Sequence, residues 1–321
     1  MSGHLRGLAR LVGRHFRWIA AVGTLVGLGL ALYSQRGAIA DFDWSLSWPA
    51  FIAAVCLFAL PALLQGISFW VILRSLGVPS RFGETLVIWS RSFLLRYAPT
   101  GALAFVLRVR ERERLGASSA AVWTASAYEQ LASLAGGAIA CVVAFAVAGS
   151  RPPLIAIGVC AAAVGLAVAI RPRFLGSLAQ RLLAARGIDV PTLMRGRMLV
   201  VAIALNVAGW LATGAATWTL VNAVSERPTP PVAWLIGVYA FAWLLGFLVP
   251  LLPGGLGLRD GTLAVLLATR FGTGPATAIA LALRLANTLG ELVAVGLVEF
   301  LYAARRLRAG RRLMTATPPD Q

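Results

Sequence analysis

Uncharged apolar runs of about twenty residues recur along this chain, the length a helix needs to cross a bilayer. Nothing else constrains its fold as much. In lipid every backbone N–H and C=O must find its partner inside the protein, so such runs fold as a bundle of helices. Hydrophobic residues make up 59% of the 321 residues and charged ones 13%, and no stretch is long and polar enough to form a separate soluble domain. The expected fold is an all-α polytopic membrane protein, with one integral membrane domain over residues 1–321.

Two of the runs are broken in the same way. Phe93–Ala104 is interrupted at Pro99-Thr-Gly101, and Phe247–Leu258 at Pro253-Gly-Gly255. Each leads to a long apolar segment with one glutamate, Glu129 or Glu291. Broken helices are tolerated at membrane depth only inside protein or around a watery cavity. A pair of them in corresponding positions of two halves points to a transport site. Full spans are expected at about 18–34, 48–73 (with Pro61 as a kink), 118–148, up to Ile170, 198–222 and 275–302. Gly83–Leu95 has 13 residues and reaches only about 20 Å, so 83–107 is read as a re-entrant hairpin. The second break lies between Val232–Leu252 and Leu256–Thr269, which form a second hairpin or two full spans. The total is six transmembrane helices plus two re-entrant hairpins, or up to eight spans. The first half covers about 15–150 and the second about 151–305. Arg173–Gly187 reads as an interfacial helix, and 313–321 as a disordered tail.

The net charge is +17, and all 29 basic side chains are arginine. They cluster at segment ends rather than on a soluble face, so nucleic acid is not an expected partner. With both termini inside, 21 arginines fall on the cytoplasmic side and 4 on the outer side, which decides for N-in, C-in. The two hairpins then enter from opposite faces, and the halves form an inverted repeat. Arg6, Arg10, Arg14 and Arg17 precede the first apolar run without a clear cleavage site, so that run is read as a retained span. Cys56, Cys141 and Cys160 lie in apolar segments without metal-ligand spacing and read as filler.

Glu129 lies 11 residues from Ser118 and Glu291 lies 11 from Tyr302, which puts both about 17 Å into the bilayer. A charge at that depth costs at least ~2.5 kcal/mol, so each glutamate faces a polar cavity or an ionic partner. Ser126, Glu129 and Ser133 share one helical face, and Arg284, Asn287 and Glu291 repeat that spacing. Arg284 and Glu291 are about 10 Å apart along the axis, so Arg284 needs either a lipid phosphate or Asp260. Around the second break, Pro253, Gly254, Gly255 and Gly257 permit tight backbone geometry ahead of a helix N-terminus, a natural anion site. Arg259 adds charge there, and Asp260 sits in the first turn, where the helix dipole favours it. On the first hairpin Arg91 and Arg96 either face a cavity or snorkel to the surface, and the Arg108–Arg114 cluster with Glu111 and Glu113 reads as a solvated interface. The expected substrate-binding set is thus Arg91, Arg96, Pro99, Gly101, Glu129, Pro253, Gly254, Gly255, Gly257, Arg259, Asp260, Arg284, Asn287 and Glu291. The only histidines, His4 and His15, are in the N-terminal tail, so no catalytic residue, metal or cofactor is expected.

Pro253-Gly-Gly-Leu-Gly-Leu-Arg-Asp-Gly261 is similar to the Pro-Gly-Gly-x-Gly-x-Arg-Glu-Gly signature of the lysylphosphatidylglycerol synthase transmembrane-region family, also described as flippase-like. Pro99-Thr-Gly101, Arg108 and Gly116 resemble its first block, and the resemblance covers about residues 15–305, with Asp260 in place of the usual glutamate. Bifunctional members carry a soluble aminoacyl-transferase domain after the membrane part, and this sequence ends at 321 without one. The resemblance therefore implies lipid translocation without lipid synthesis. The expectation is a flippase of the bacterial inner (plasma) membrane. It would move a phospholipid, glycolipid or polyprenyl-linked lipid with an anionic headgroup by alternating access. A lipid- or glycan-synthesis enzyme is a candidate partner. The alternatives are a membrane enzyme or accessory subunit of glycolipid or aminoacyl-lipid synthesis, and a small-solute secondary transporter.

Overall fold

The apolar runs become helices. The computed structural model describes residues 33, 36–40, 44–95, 102–149, 194, 196–248 and 258–316. Its helices are α1 (Arg36–Ala40), α2 (Trp48–Ser75), α3 (Phe82–Leu94), α4 (Ala102–Arg110), α5 (Arg112–Leu115), α6 (Ser119–Val147), α7 (Gly196–Val224), α8 (Val232–Leu248), α9 (Leu258–Phe271) and α10 (Thr273–Ala316). Among the described residues there is no strand, only an antiparallel bridge between Trp44 and Ser225. Ser118 caps α6 by accepting a bond from the Ala121 N–H at 3.1 Å, which satisfies one of the free donors of the first turn. Gly77 after α2 (φ 83°) and Gly272 after α9 (φ 82°) turn the chain in the left-handed region, where a side chain would be strained.

Four of these helices are long and apolar enough to cross a membrane: α2, α6, α7 and the Thr273–Arg308 part of α10. With the shorter apolar α8 they make a polytopic helical membrane protein. The expected spans at 18–34 and up to Ile170, and the interfacial helix at 173–187, lie outside the described residues. The helix α10 continues to Ala316, and the rest of the expected tail at 313–321 lies outside the described residues. The helix α2 runs on through Pro61, which leaves the Leu57 carbonyl without its i+4 donor.

The packing centres on α2 and α7, one from each half. They run antiparallel. The Ser47 N–H, just ahead of α2, bonds the Ala223 carbonyl near the end of α7 at 2.9 Å; Pro61 lies beside Gly209, and Ser68 beside Asn206. The helices α6 and α10 both pack on this pair. Backbones approach closely at glycines, as in membrane bundles generally. A Cβ on Gly290 of α10 would come within 2.6 Å of Phe58 Cβ and 2.7 Å of the Val55 carbonyl on α2. The buried core divides into two clusters. One gathers Phe58, Phe145, Leu220 and Phe271; the other gathers Phe69, Ile72, Leu73 and Trp89. Outward-facing side chains include Val265, Leu285, Leu292 and Phe300, a surface suited to lipid tails.

Candidate functional site

A cavity opens between the two core clusters. Its wall takes Phe58, Pro61, Ala62 and Gln65 from α2, Phe93 from α3, and Asn206, Gly209, Trp210 and Thr213 from α7. The second half completes it with Tyr239 and Trp243 from α8, Arg259 from α9, and Asn287 and Glu291 from α10. Pro61 and Gly209 face each other where α2 meets α7, so this close crossing forms part of the wall.

Arg259, Asn287 and Glu291 of the expected set line the cavity. Asn287 donates through Nδ2 to Glu291 Oε1 at 2.7 Å, one turn along α10. Arg259 donates to the Tyr239 hydroxyl at 3.2 Å and lies over that ring at 5.5 Å. Arg284 donates to Asp260 Oδ2, so of its two sequence-level partners the structure shows the carboxylate. Asp260 Oδ1 in turn lies 3.7 Å from Arg259 Nε. The pair Arg284–Asp260 thereby ties the first turn of α9 to α10 and holds Arg259 at the cavity.

Glu129 is placed elsewhere. It is paired with Arg108, and each side chain is only 4% exposed. Trp89 Nε1 donates to Glu129 Oε1 at 2.6 Å, and Arg108 Nε donates to Ser92 Oγ at 2.7 Å. The Arg108 guanidinium also lies 4.5 Å from the Phe69 ring centroid. A buried ion pair needs such extra bonds to offset the loss of hydration. Arg108 is therefore not part of a solvated interface, which is a correction; α4 and α6 carry it into the core, while Arg110 and Arg114 stay exposed. Trp89 stacks on Phe93 with centroids 4.5 Å apart, and Phe93 lines the cavity. The Arg108–Glu129 network is thus one stacked ring away from it.

Arg91 pairs with Glu299 of α10 through two bonds of 2.6 and 2.9 Å, with side chains 51% and 34% exposed. Arg114 donates to Glu111 at 2.8 Å, and that bond raises its pKa from the usual arginine value. Arg96, Pro99, Gly101, Pro253, Gly254, Gly255 and Gly257 lie outside the described residues. Among the described residues no group of three or more His, Cys, Asp or Glu comes together as a metal site.

Gln65, Asn206 and Thr213 also line the cavity, and none of them belongs to the expected set. The signal was present: a lone amide in an apolar span is costly in lipid and marks an inward face just as a glutamate does. The aromatic wall of Trp210, Tyr239 and Trp243 carries no such signal, because aromatic residues in a span serve equally as core or lipid contacts.

The family model described as the lysylphosphatidylglycerol synthase TM region matches residues 18–296. No curated protein matches the chain.

Proposed function

The chain belongs to the lysylphosphatidylglycerol synthase TM region family, and on that premise we propose that it carries a lipid headgroup across the membrane through the cavity between its halves. The observation that carries this reading is the cavity itself. It carries ionic and hydrogen-bonding side chains among apolar ones, is walled by helices of both halves, and lies in a bundle whose outward-facing side chains include many large apolar ones. Polar groups inside a membrane are costly and are kept where they serve a path. A phosphate-bearing headgroup of a phospholipid, glycolipid or polyprenyl-linked lipid would meet Arg259, and its tails would stay in the bilayer. Asn287 and Glu291 would bond the rest of the headgroup. Rocking of two inverted halves, entered by hairpins from opposite faces, would open the cavity alternately in a bacterial inner membrane. The lipid is moved intact; no covalent step is needed.

The test is translocation of a fluorescent lipid in reconstituted vesicles. Arg259→Gln and Glu291→Gln are expected to cut the rate about tenfold or more, a loss of about 1.4 kcal/mol each, with folded yield unchanged. Wild-type rates from Arg259→Ala, Arg284→Ala and Glu291→Gln together would overturn the site. A new lipid product formed in detergent, where there are no leaflets, would favour an enzyme.

A further inference from the structure

We propose that the headgroup held in this cavity is a glycosyl group, so that the lipid carried is a glycosylated one; the inference rests on the transport reading above and narrows its substrate. The charge balance is the first argument. Among the described residues the ionic side chains of the wall are Arg259 and Glu291, and the nearby Asp260 is held by Arg284. Two cations against two carboxylates leave no net positive charge, a poor setting for a bare dianion. It suits a ligand with at most one phosphodiester charge and a largely neutral remainder.

The rest of the wall is neutral but rich in hydrogen-bonding groups: Gln65, Asn206, Thr213 and Asn287. Asn206 spends both amide hydrogens inside the protein, on Ser68 Oγ at 3.3 Å and the Ala202 carbonyl at 2.8 Å. Its oxygen is what remains for a ligand, and an oxygen accepts from a hydroxyl. Thr213 donates to the Gly209 carbonyl at 3.0 Å and likewise keeps acceptor capacity. Beside these amides stand the rings of Trp210 and Trp243, packed edge to face at 5.2 Å. A pyranose has an apolar C–H face that lies flat on such a ring and a rim of hydroxyls that amides can bond. Sites built to bond hydroxyls also reject analogues without them.

Equilibrium binding to the full chain in nanodiscs of fixed neutral lipid tests this. The probes are a short prenyl phosphate carrying glucose, the bare prenyl phosphate, and the same tail with phosphocholine. The glucosyl probe is expected to bind about tenfold or more tighter than either other probe. Gln65→Leu and Trp243→Leu should weaken binding of the glucosyl probe about tenfold and so remove that preference. Equal binding of the bare phosphate overturns the proposal, as does tighter binding of phosphocholine, whose cation would use the rings and Glu291. Should the variants fail to fold, the three probes on the wild-type chain decide alone. A sugar preference in binding with no lipid movement in vesicles would leave this site standing and sink the transport reading. Lipid movement without a sugar preference would do the reverse.

Discussion

Arg108 and Glu129 show what a single buried charge demands. Neither is tolerable at this depth alone, and each has a guanidinium–carboxylate bond plus a neutral partner, Ser92 or Trp89. Removing one charge strands the other. Glu129→Gln or Arg108→Ala is therefore expected to lower stability by about 3–5 kcal/mol, read as a large drop in melting temperature in detergent. The double change Arg108→Met with Glu129→Leu should recover most of that loss, because apolar replacements leave no charge uncompensated. Arg91→Gln, by contrast, breaks a bond whose partners are half-exposed. Its expected effect is under about 1 kcal/mol, within the scatter of the same melts. The sequence made Glu129 visible as a buried carboxylate but could not choose between cavity and ion pair. That choice depends on α4 laying Arg108 against α6, a contact between elements.

At the scale of elements the two halves repeat one device. In the first, α4 follows Pro99-Thr-Gly101 in the chain and pairs with the following long helix α6 through Arg108 and Glu129. In the second, α9 follows Pro253-Gly-Gly255 in the chain and pairs with α10 through Asp260 and Arg284, with the charges reversed. Trp89 on α3 donates to Glu129 itself, whereas Tyr239 on α8 accepts from Arg259, the neighbour of Asp260. These joints need close packing of the long helices, and Gly290 provides it where α10 crosses α2. Gly290→Ala would drive a methyl group to within 2.6–2.8 Å of Phe58 and Val55 atoms, two of them backbone. The expected cost is about 1–3 kcal/mol, with a lower monodisperse yield on size exclusion. Gly296→Ala, on the same helix with nothing within 4 Å, should leave yield and melting temperature unchanged.

The whole molecule places its ends by side. The start of α2 meets the end of α7, while Gly83 at the start of α3 lies 3.5 Å, measured from an added Cβ, from Tyr302 near the end of α10. Arg74, Arg81, Arg110, Arg112, Arg114, Arg197, Arg305, Arg306 and Arg308 lie on the segments at this second end. The orientation rule puts that end in the cytoplasm. In a background without Cys56, Cys141 and Cys160, single cysteines at the exposed Glu226, Arg227 and Thr273 should react with an impermeant maleimide on intact cells. Cysteines at the exposed Arg81 and Glu113 should react only after permeabilisation. The opposite pattern would invert the topology.

The sequence by itself determined the solvent of this protein, its helical class and the position of its long spans, because apolar length and the need to satisfy every backbone group leave a chain in lipid few alternatives. It also marked Arg259, Asn287 and Glu291, since buried polar residues stand out against an apolar run. Only the tertiary structure decided that Glu129 is held by Arg108, that Arg284 is held by Asp260, and that Gln65, Asn206 and two tryptophans complete the cavity. Periodicity tells which residues share a face of one helix. Which faces meet is set by the antiparallel crossing of α2 and α7, and that crossing depends on contacts between residues far apart in the chain.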